Sequence, residues 1–249
     1  MHALDGEKML MAWERCRERP VQECALVLLS LAQPEQSVEA LASLPLAERN
    51  AQLLELRSMT LGGRMEGFAI CPDCGAHLEF AMDALELARG LHASAAEAIE
   101  QGLTMRPANT RDLLASLDAG DERQAESILL ARTLGFEELD ETAKKVGPQK
   151  WLEGLSDSVP EAGSAALLER FDRLNASAEI RVQLQCAVCQ SSPLLEMDIA
   201  RFLVREIASA ARRLMAEIHE LASVYGWSEQ SIAAMSGARR AAYLEMLNA

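Results

Sequence analysis

The sequence has little positive charge, few aromatic residues and no long hydrophobic run. Lys and Arg number 24 against 38 Asp and Glu, which gives a formal net charge of −14 at pH 7. Without a basic cluster, this balance argues against a protein that binds nucleic-acid phosphates. There is no run of 18 apolar residues, so no membrane-spanning helix is expected. Aromatic residues make up only 4% of the chain, so we expect a core of aliphatic residues and Met, which favours helices.

Motifs of catalysis are also scarce. The four histidines do not occur in HExxH or in another metal-ligand spacing. No catalytic triad or glycine-rich phosphate loop can be identified, and the carboxylates are dispersed along predicted helix surfaces. We therefore predict that the protein is not an enzyme and that it takes no small-molecule substrate.

What the sequence does contain is two matched cysteine pairs. Cys71-x-x-Cys74 and Cys186-x-x-Cys189 have the spacing of zinc knuckles, and two knuckles form one tetrahedral, all-thiolate site. Four thiolates leave no coordination position for water, so we predict one structural zinc per chain. Two alternatives stay open: a redox-active pair, and His77 as a replacement ligand.

The N-terminus bears on the choice between metal and disulfide. Residues 1–7 are polar and lack the apolar segment of a secretory signal peptide, so we expect a cytoplasmic protein. Thiols stay reduced in the cytoplasm, which favours metal binding by the paired cysteines. The other two cysteines, Cys16 and Cys24, fit buried positions on helices.

The sequences around the two cysteine pairs resemble each other. Met82 and Asp83 follow the first pair by eight and nine residues, and Met197 and Asp198 follow the second pair at the same distances. This repetition predicts two β-hairpins related by an approximate two-fold axis. Because 111 residues separate Cys74 from Cys186, far more than the about 15–20 of a compact zinc ribbon, the intervening chain must form a folded insertion. We expect loss of the metal to loosen residues 84–176.

These patterns predict a mainly α-helical protein with small β structure. Its centre is a split four-cysteine zinc ribbon of two β-hairpins, with a helical insertion between them and a long C-terminal helix. The predicted regions are an N-terminal helical region (1–62), the split ribbon (63–83 plus 177–198), a mostly helical insertion (84–176), and the long helix with two short helices (199–249).

Local signals add detail to this organisation. Asp198 is predicted to cap the long helix and Gly226 to end it. Ser94 and Glu97 have the spacing of a capping box, which predicts a helix start. Residues 135–160, with two prolines and three glycines, are predicted to be loop with short helical turns, and residues 162–174 to be helical.

Several segments carry a resemblance to a known family. The most specific is residues 217–232, a helix ending in Tyr-Gly-Trp-Ser, followed by Arg239, Arg240 and Tyr243. The others are Trp13-Glu14, residues 41–50, 53–57, 71–75, 78–79, 179–181, 186–189 and 198–203. In this order they resemble the baseplate-associated proteins of myophages and of phage-tail-like contractile injection systems.

The resemblance implies an assembly factor or a minor structural subunit of a baseplate. The partners would be baseplate, hub or spike proteins, and the chain would stay in the cytoplasm or enter the assembled particle. We expect the partner surface at the C-terminal joint and closing helices, at Tyr225, Trp227, Arg239, Arg240 and Tyr243. The alternative for these residues is that they pack against the long helix. The alternative function is a zinc-ribbon adaptor or regulator that binds nucleic acid or a polymerase.

The second knuckle departs from the family pattern. Ala187 and Gln190 stand where the family usually has Pro and Gly. A glutamine in a turn that favours a left-handed residue costs on the order of 1 kcal/mol. Since the cysteines are intact, we expect weaker preorganisation of the second knuckle and a retained metal site.

Overall fold

The computed structural model describes residues 1–99, 103–139, 145–158 and 164–247. Over these ranges the chain is mainly helical, with three small antiparallel sheets of two strands each. The prediction of a mainly α protein with small β structure is confirmed. None of the helices in these ranges combines the length and the apolar character that crossing a bilayer needs.

Four helices form the N-terminal region. They are α1 (Gly6–Cys16), α2 (Val21–Ala32), α3 (Val38–Ser43) and α4 (Leu46–Leu61). The side chains of Asp5 and Ser37 cap α1 and α3 by accepting backbone N–H bonds of 2.9 and 3.1 Å. Gly62 ends α4 with a φ of 94°, a conformation that glycine adopts without strain, and the chain then turns into the first hairpin.

The first hairpin pairs β1 (Arg64–Ile70) with β2 (His77–Asp83) in an antiparallel register that sets Ile70 opposite His77. Alternate side chains of each strand face the protein interior, so Met65 and Leu78 are buried. Asp83 then caps α5 (Ala84–Gly90), accepting N–H bonds from Leu85 and Glu86.

The insertion has a hydrophobic core of its own. Its elements are β3 (Glu97–Ala98), β4 (Thr104–Met105), α6 (Thr110–Ser116), α7 (Glu122–Thr133), α8 (Pro148–Ser158) and α9 (Ser164–Asn175). Met105, Leu130, Leu152 and Leu167 lie in this core, which is separate from the main one.

Two predictions for this region were wrong. No helix starts at Ser94; Glu97 lies in β3, where its carboxylate pairs with Arg173 of α9 at 2.7 Å, and this tertiary contact replaces a cap. Most of the segment predicted as loop, where the structure describes it, is the helix α8. Pro148 stands at its first position, where proline suits a helix, and Trp151 packs edge-on against Phe136. The predicted start of the next helix at 162 lies outside the described residues.

The second hairpin leads into the C-terminal helices. It pairs β5 (Ile180–Gln183) with β6 (Leu194–Met197), and α10 (Ile199–Tyr225), α11 (Glu229–Ala233) and α12 (Gly237–Leu247) follow. Asp198 caps α10 as predicted, and Gly226 ends it with a φ of 67°. Ser228 and Ser236 accept backbone bonds at the starts of α11 and α12.

The long helix α10 packs against helices of the N-terminal region and against the two closing helices. Its buried stripe, which includes Leu203, Ile207, Leu214 and Leu221, is covered by α2 and α4 along the first half. The N-terminal helix α1 and the two closing helices cover the second half. The chain therefore buries the apolar stripe of its long helix by itself.

Candidate metal centre

The turn of the first hairpin folds as a knuckle around Cys71. The N–H of Cys71 donates to the carbonyl of Ala76 at 2.8 Å, and the carbonyl of Cys71 accepts from the N–H of Gly75 at 2.9 Å. Gly75 has a φ of 73°, which lets the chain double back after Cys74. Both thiols are thereby presented on the same side of the turn.

The second knuckle repeats this bonding residue for residue. Cys186 donates to the carbonyl of Ser191 at 2.8 Å and accepts from the N–H of Gln190 at 2.9 Å. Gln190 has a φ of 64°, so it occupies the left-handed conformation that Gly75 occupies in the first knuckle. This confirms the left-handed conformation predicted at Gln190; for a residue with a side chain such a conformation costs about 1 kcal/mol. The repeated sequence thus corresponds to a repeated structure.

The two knuckles meet tip to tip. Cys71 Sγ lies 3.7 Å from Cys189 Sγ, and Cys74 Sγ lies 3.6 Å from Cys186 Sγ, so both short contacts cross between the hairpins. All four sulfur atoms lie within 4.8 Å of one another. A tetrahedral ion with metal–sulfur bonds of about 2.3 Å sets its sulfur atoms about 3.8 Å apart. The four thiols, all free, therefore have the spacing of a closed tetrahedral metal site.

Burial differs within each pair in the same way, whereas the Ser191 hydroxyl contacts the first cysteine of one pair and the second cysteine of the other. Cys71 and Cys186 are buried, whereas Cys74 and Cys189 are exposed. The Ser191 hydroxyl lies 3.1 Å from Cys189 Sγ and 3.6 Å from Cys71 Sγ. The hydrogen bond from Ser191 lowers the pKa of Cys71 to about 6 and also lowers the pKa of Cys189. Ser191 therefore favours the thiolate form, which binds metal, at one ligand from each hairpin.

Sequence reasoning missed Ser191, since a hydroxyl two residues after a CxxC pair has no motif of its own. We predict that Ser191→Ala retains the metal and weakens its binding about tenfold, the lower end of what outer-shell partners contribute. Competition with a chromogenic chelator at fixed pH measures this. Ser192→Ala, at an exposed neighbouring residue, is the matched control and is expected to bind as wild type does. Equal affinities for all three proteins would show that the Ser191 hydroxyl does not act on the site.

Two buried polar side chains of α4 position the hairpins. Arg57 donates to the carbonyl of Arg64 at 2.7 Å, where β1 begins, and forms a two-armed ion pair with Glu206 of α10 at 3.0 and 2.8 Å. Asn50 donates to the carbonyl of Ala178 at 2.9 Å, just before β5. Both hairpins are thus anchored on α4. The sequence could have indicated these two residues, because each is a polar side chain at a position of α4 where the helical spacing predicts a buried, apolar one.

The remaining candidate ligands lie apart from the four thiols. His77 is exposed, its ring stacks on Phe68 with centroids 5.5 Å apart, and it does not belong to the thiol cluster. Cys16 and Cys24 contact each other between α1 and α2, and burial raises the pKa of Cys16 to about 12. Within the described chain, Cys71, Cys74, Cys186 and Cys189 are the one group that could hold an ion.

The predicted partner residues lie together at the far end of α10. Tyr225 stacks on Trp227 with centroids 4.5 Å apart, and Tyr243 of α12 meets Trp227 edge-on at 4.8 Å. Arg240 forms an ion pair of 2.6 Å with Glu217, while exposed Arg239 lies over the Tyr243 ring. Four of these five side chains make intramolecular contacts that hold α12 against α10, and Arg239 extends over their edge.

For Trp227 these contacts predict a structural effect. Trp227→Ala removes a half-buried ring and is expected to lower the stability by about 2 kcal/mol. Removing a fully buried aromatic ring costs more, about 3–5 kcal/mol. We expect faster amide exchange in α11 and α12 with unchanged metal content, measured by hydrogen exchange and elemental analysis. Met246→Ala, at a side chain of α12 that is 64% exposed, is the control. Unchanged exchange in α11 and α12 together with loss of partner binding would instead assign Trp227 to an interface.

No family model, curated protein or solved structure matches this chain.

Proposed function

We propose that the protein is a zinc-stabilised structural or assembly component of a contractile-tail or injection-system baseplate and that it works through protein–protein contacts. The observation that carries the proposal is the convergence of four thiols from two hairpins that stand 111 residues apart in the sequence. An ion at this point joins distant parts of the chain and stabilises the arrangement of the hairpins.

The chemistry of the donor set supports zinc in a structural role. Thiolate ligands favour soft or borderline ions, and a tetrahedral four-sulfur set is typical of zinc or iron. Zinc undergoes no redox change, and four protein ligands leave it no position for water or substrate. Cys71, Cys74, Cys186 and Cys189 would therefore supply all the ligands, and the ion would act on stability alone.

Contact with other proteins follows from the acidic composition and from the resemblance to baseplate-associated proteins. A net charge of −14 disfavours broad contact with nucleic-acid phosphates, which the alternative of a nucleic-acid adaptor requires. The resemblance places such a chain beside tail machinery and supports hub, spike or other baseplate proteins as partners.

Purification of tagged protein from its native host tests the proposal. We expect tail-tube, spike or sheath proteins to co-purify with the tagged chain, and fewer of them with a variant that has lost the zinc ligand Cys186. Duplex DNA is expected to bind no more tightly than about 10⁻⁴ M at physiological salt. Sub-micromolar, salt-sensitive DNA binding without tail proteins would replace the proposal with the nucleic-acid adaptor.

A further inference from the structure

A large groove separates the two hairpins on the side of the metal centre that faces α10. Its volume is about 1010 Å³, and the first half of α10 forms its floor, including Phe202 and Arg205. One wall is β1, which contributes the four consecutive residues Glu66–Ala69, whereas β2 contributes only Phe80. This pattern means that β1 presents its edge to the groove.

Among the described residues, no other strand pairs with that edge. There β1 pairs with β2 alone, and the terminal bonds of the ladder join Cys71 to Ala76 and Gly63 to Ala84. Because bonded positions alternate along an antiparallel strand, Gly67 and Ala69 face β2. The N–H and C=O groups of Glu66 and Phe68 therefore point outward along the groove. Two unpaired donors and two acceptors on a strand edge are a template for another extended segment.

The opposite wall is apolar. Val182 on β5, Leu184 directly after β5 and Leu195 on β6 line the groove, and all three are half-buried. They lie on one face of the second hairpin, since alternate residues of a strand share a face. A strand added to β1 would lay every second side chain toward this wall.

The floor adds positive charge to an otherwise acidic protein. Arg201 and Arg205 line the groove, fall within about 40° of each other around α10, at 3.6 residues per turn, and are both exposed. Every carboxylate that lines the groove has an arginine of this chain as its partner; these are Glu66, Glu179, Glu196, Asp198 and Glu206. Within the described residues, Arg205 has no such partner.

From these features we infer that the groove is the docking site for an extended, acidic segment of a partner protein. The segment adds a strand to the edge of β1, places apolar side chains against Val182, Leu184 and Leu195, and sets a carboxylate on Arg205. The inference rests on the proposed function, since it names the surface through which the protein contacts its partner. It places that surface beside the metal centre instead of at the aromatic joint of α10 and α12.

Selection of peptides on the zinc-loaded full chain tests the inference. A random library of 12-residue peptides displayed on phage is the probe, and we expect enriched peptides to alternate apolar and acidic residues. Phe68→Pro deletes an outward N–H that β2 does not use, so the hairpin keeps its ladder. It is expected to weaken the selected peptides at least tenfold in fluorescence anisotropy. Arg205→Glu is expected to weaken them as much, and to reduce the dependence of binding on salt.

Two matched controls separate docking from general damage. Glu79→Pro makes the same change on the outer edge of β2, away from the groove, and Arg123→Glu makes the same charge reversal at an exposed position of α7. Both are expected to bind within twofold of wild type, with about one zinc retained in every variant. The inference is wrong if no peptide is enriched, or if both proline variants lose binding equally. It is also wrong if a 12-nucleotide single strand displaces the peptides and binds more tightly.

The two proposals can fail separately. If tail proteins co-purify with the chain and the selected peptides ignore the groove, the docking surface is wrong and the baseplate function stands. If peptides bind the groove as described and no tail protein co-purifies, the docking surface stands and the baseplate function is wrong.

Discussion

Cys186→Ser is expected to release the metal and to cause a large loss of stability. The wild-type chain should contain about one zinc, and the variant close to none, because a hydroxyl is a poor replacement for one of four thiolates. A site saturated a thousandfold above its Kd contributes about 4 kcal/mol. For a chain of this size that corresponds to roughly 8–16 °C in Tm. Elemental analysis and calorimetry measure the two effects.

Cys16→Ser is the matched control, since it makes the same change at a half-buried thiol outside the cluster. It should keep its zinc. A metal-free Cys186→Ser protein with wild-type Tm would show that the thiol cluster does not stabilise the fold. A wild-type protein that contains no zinc and has disulfide bonds between these cysteines would support the alternative of a redox-active pair.

The structure also changes which part of the chain we expect to loosen when the metal is removed by a chelator. The sequence led us to expect loosening of residues 84–176, but the insertion has its own core, and its C-terminal end is bonded to a residue that is itself bonded to α4. Asn175 accepts a bond from the N–H of Ala108 at 2.9 Å, and the carbonyl of Ala108 accepts from the N–H of Leu46 at 2.9 Å. We therefore expect faster amide exchange mainly in the two hairpins, whose turns carry the four clustered cysteines.

Asp112→Asn is expected to have the second large effect, confined to the insertion. The Asp112 carboxylate is fully buried and accepts bonds from Arg106 at 2.6 and 3.0 Å, from Arg132 at 3.1 Å and from the N–H of Asn109 at 3.0 Å. The hydrogen bond with Asp112 also raises the pKa of Arg106. A neutral amide leaves Arg106 without its carboxylate partner, whereas Arg132 keeps an ion pair with Glu137. Because Arg106 remains partly exposed, we expect the free energy of opening to fall by about 3 kcal/mol, the lower end of the cost of breaking a buried ion pair.

Native-state hydrogen exchange in α6 and α7 measures this loss as a fall in the free energy of opening. Asp121→Asn is the control, because Asp121 caps α7 at an exposed position and Asn caps a helix equally well. It should change the opening free energy by less than about 0.5 kcal/mol. Similar values for the two variants would mean that the buried ion cluster does not stabilise the insertion.

How much of this could be predicted from the sequence depends on how local each interaction is. The knuckle turns, the caps at Asp83 and Asp198, and the end of α10 at Gly226 each involve residues within a few positions of one another. Backbone sterics and single hydrogen bonds decide such features, so a short window of sequence contains the information. The failure at Ser94 has the opposite cause: Glu97 bonds to Arg173, 76 residues away.

The sequence by itself determined the two matched cysteine pairs, the two hairpins and the long helix, because matched cysteine spacing and a 3.6-residue apolar period are local patterns. Only the tertiary structure decided what these elements enclose. It brought the thiols to within 4.8 Å, placed Asn50 and Arg57 under the hairpins, and left the edge of β1 open beside Arg205. These contacts join residues about 7 to 150 positions apart. Their geometry depends on how helices pack, and that is set by the whole core instead of by any one segment.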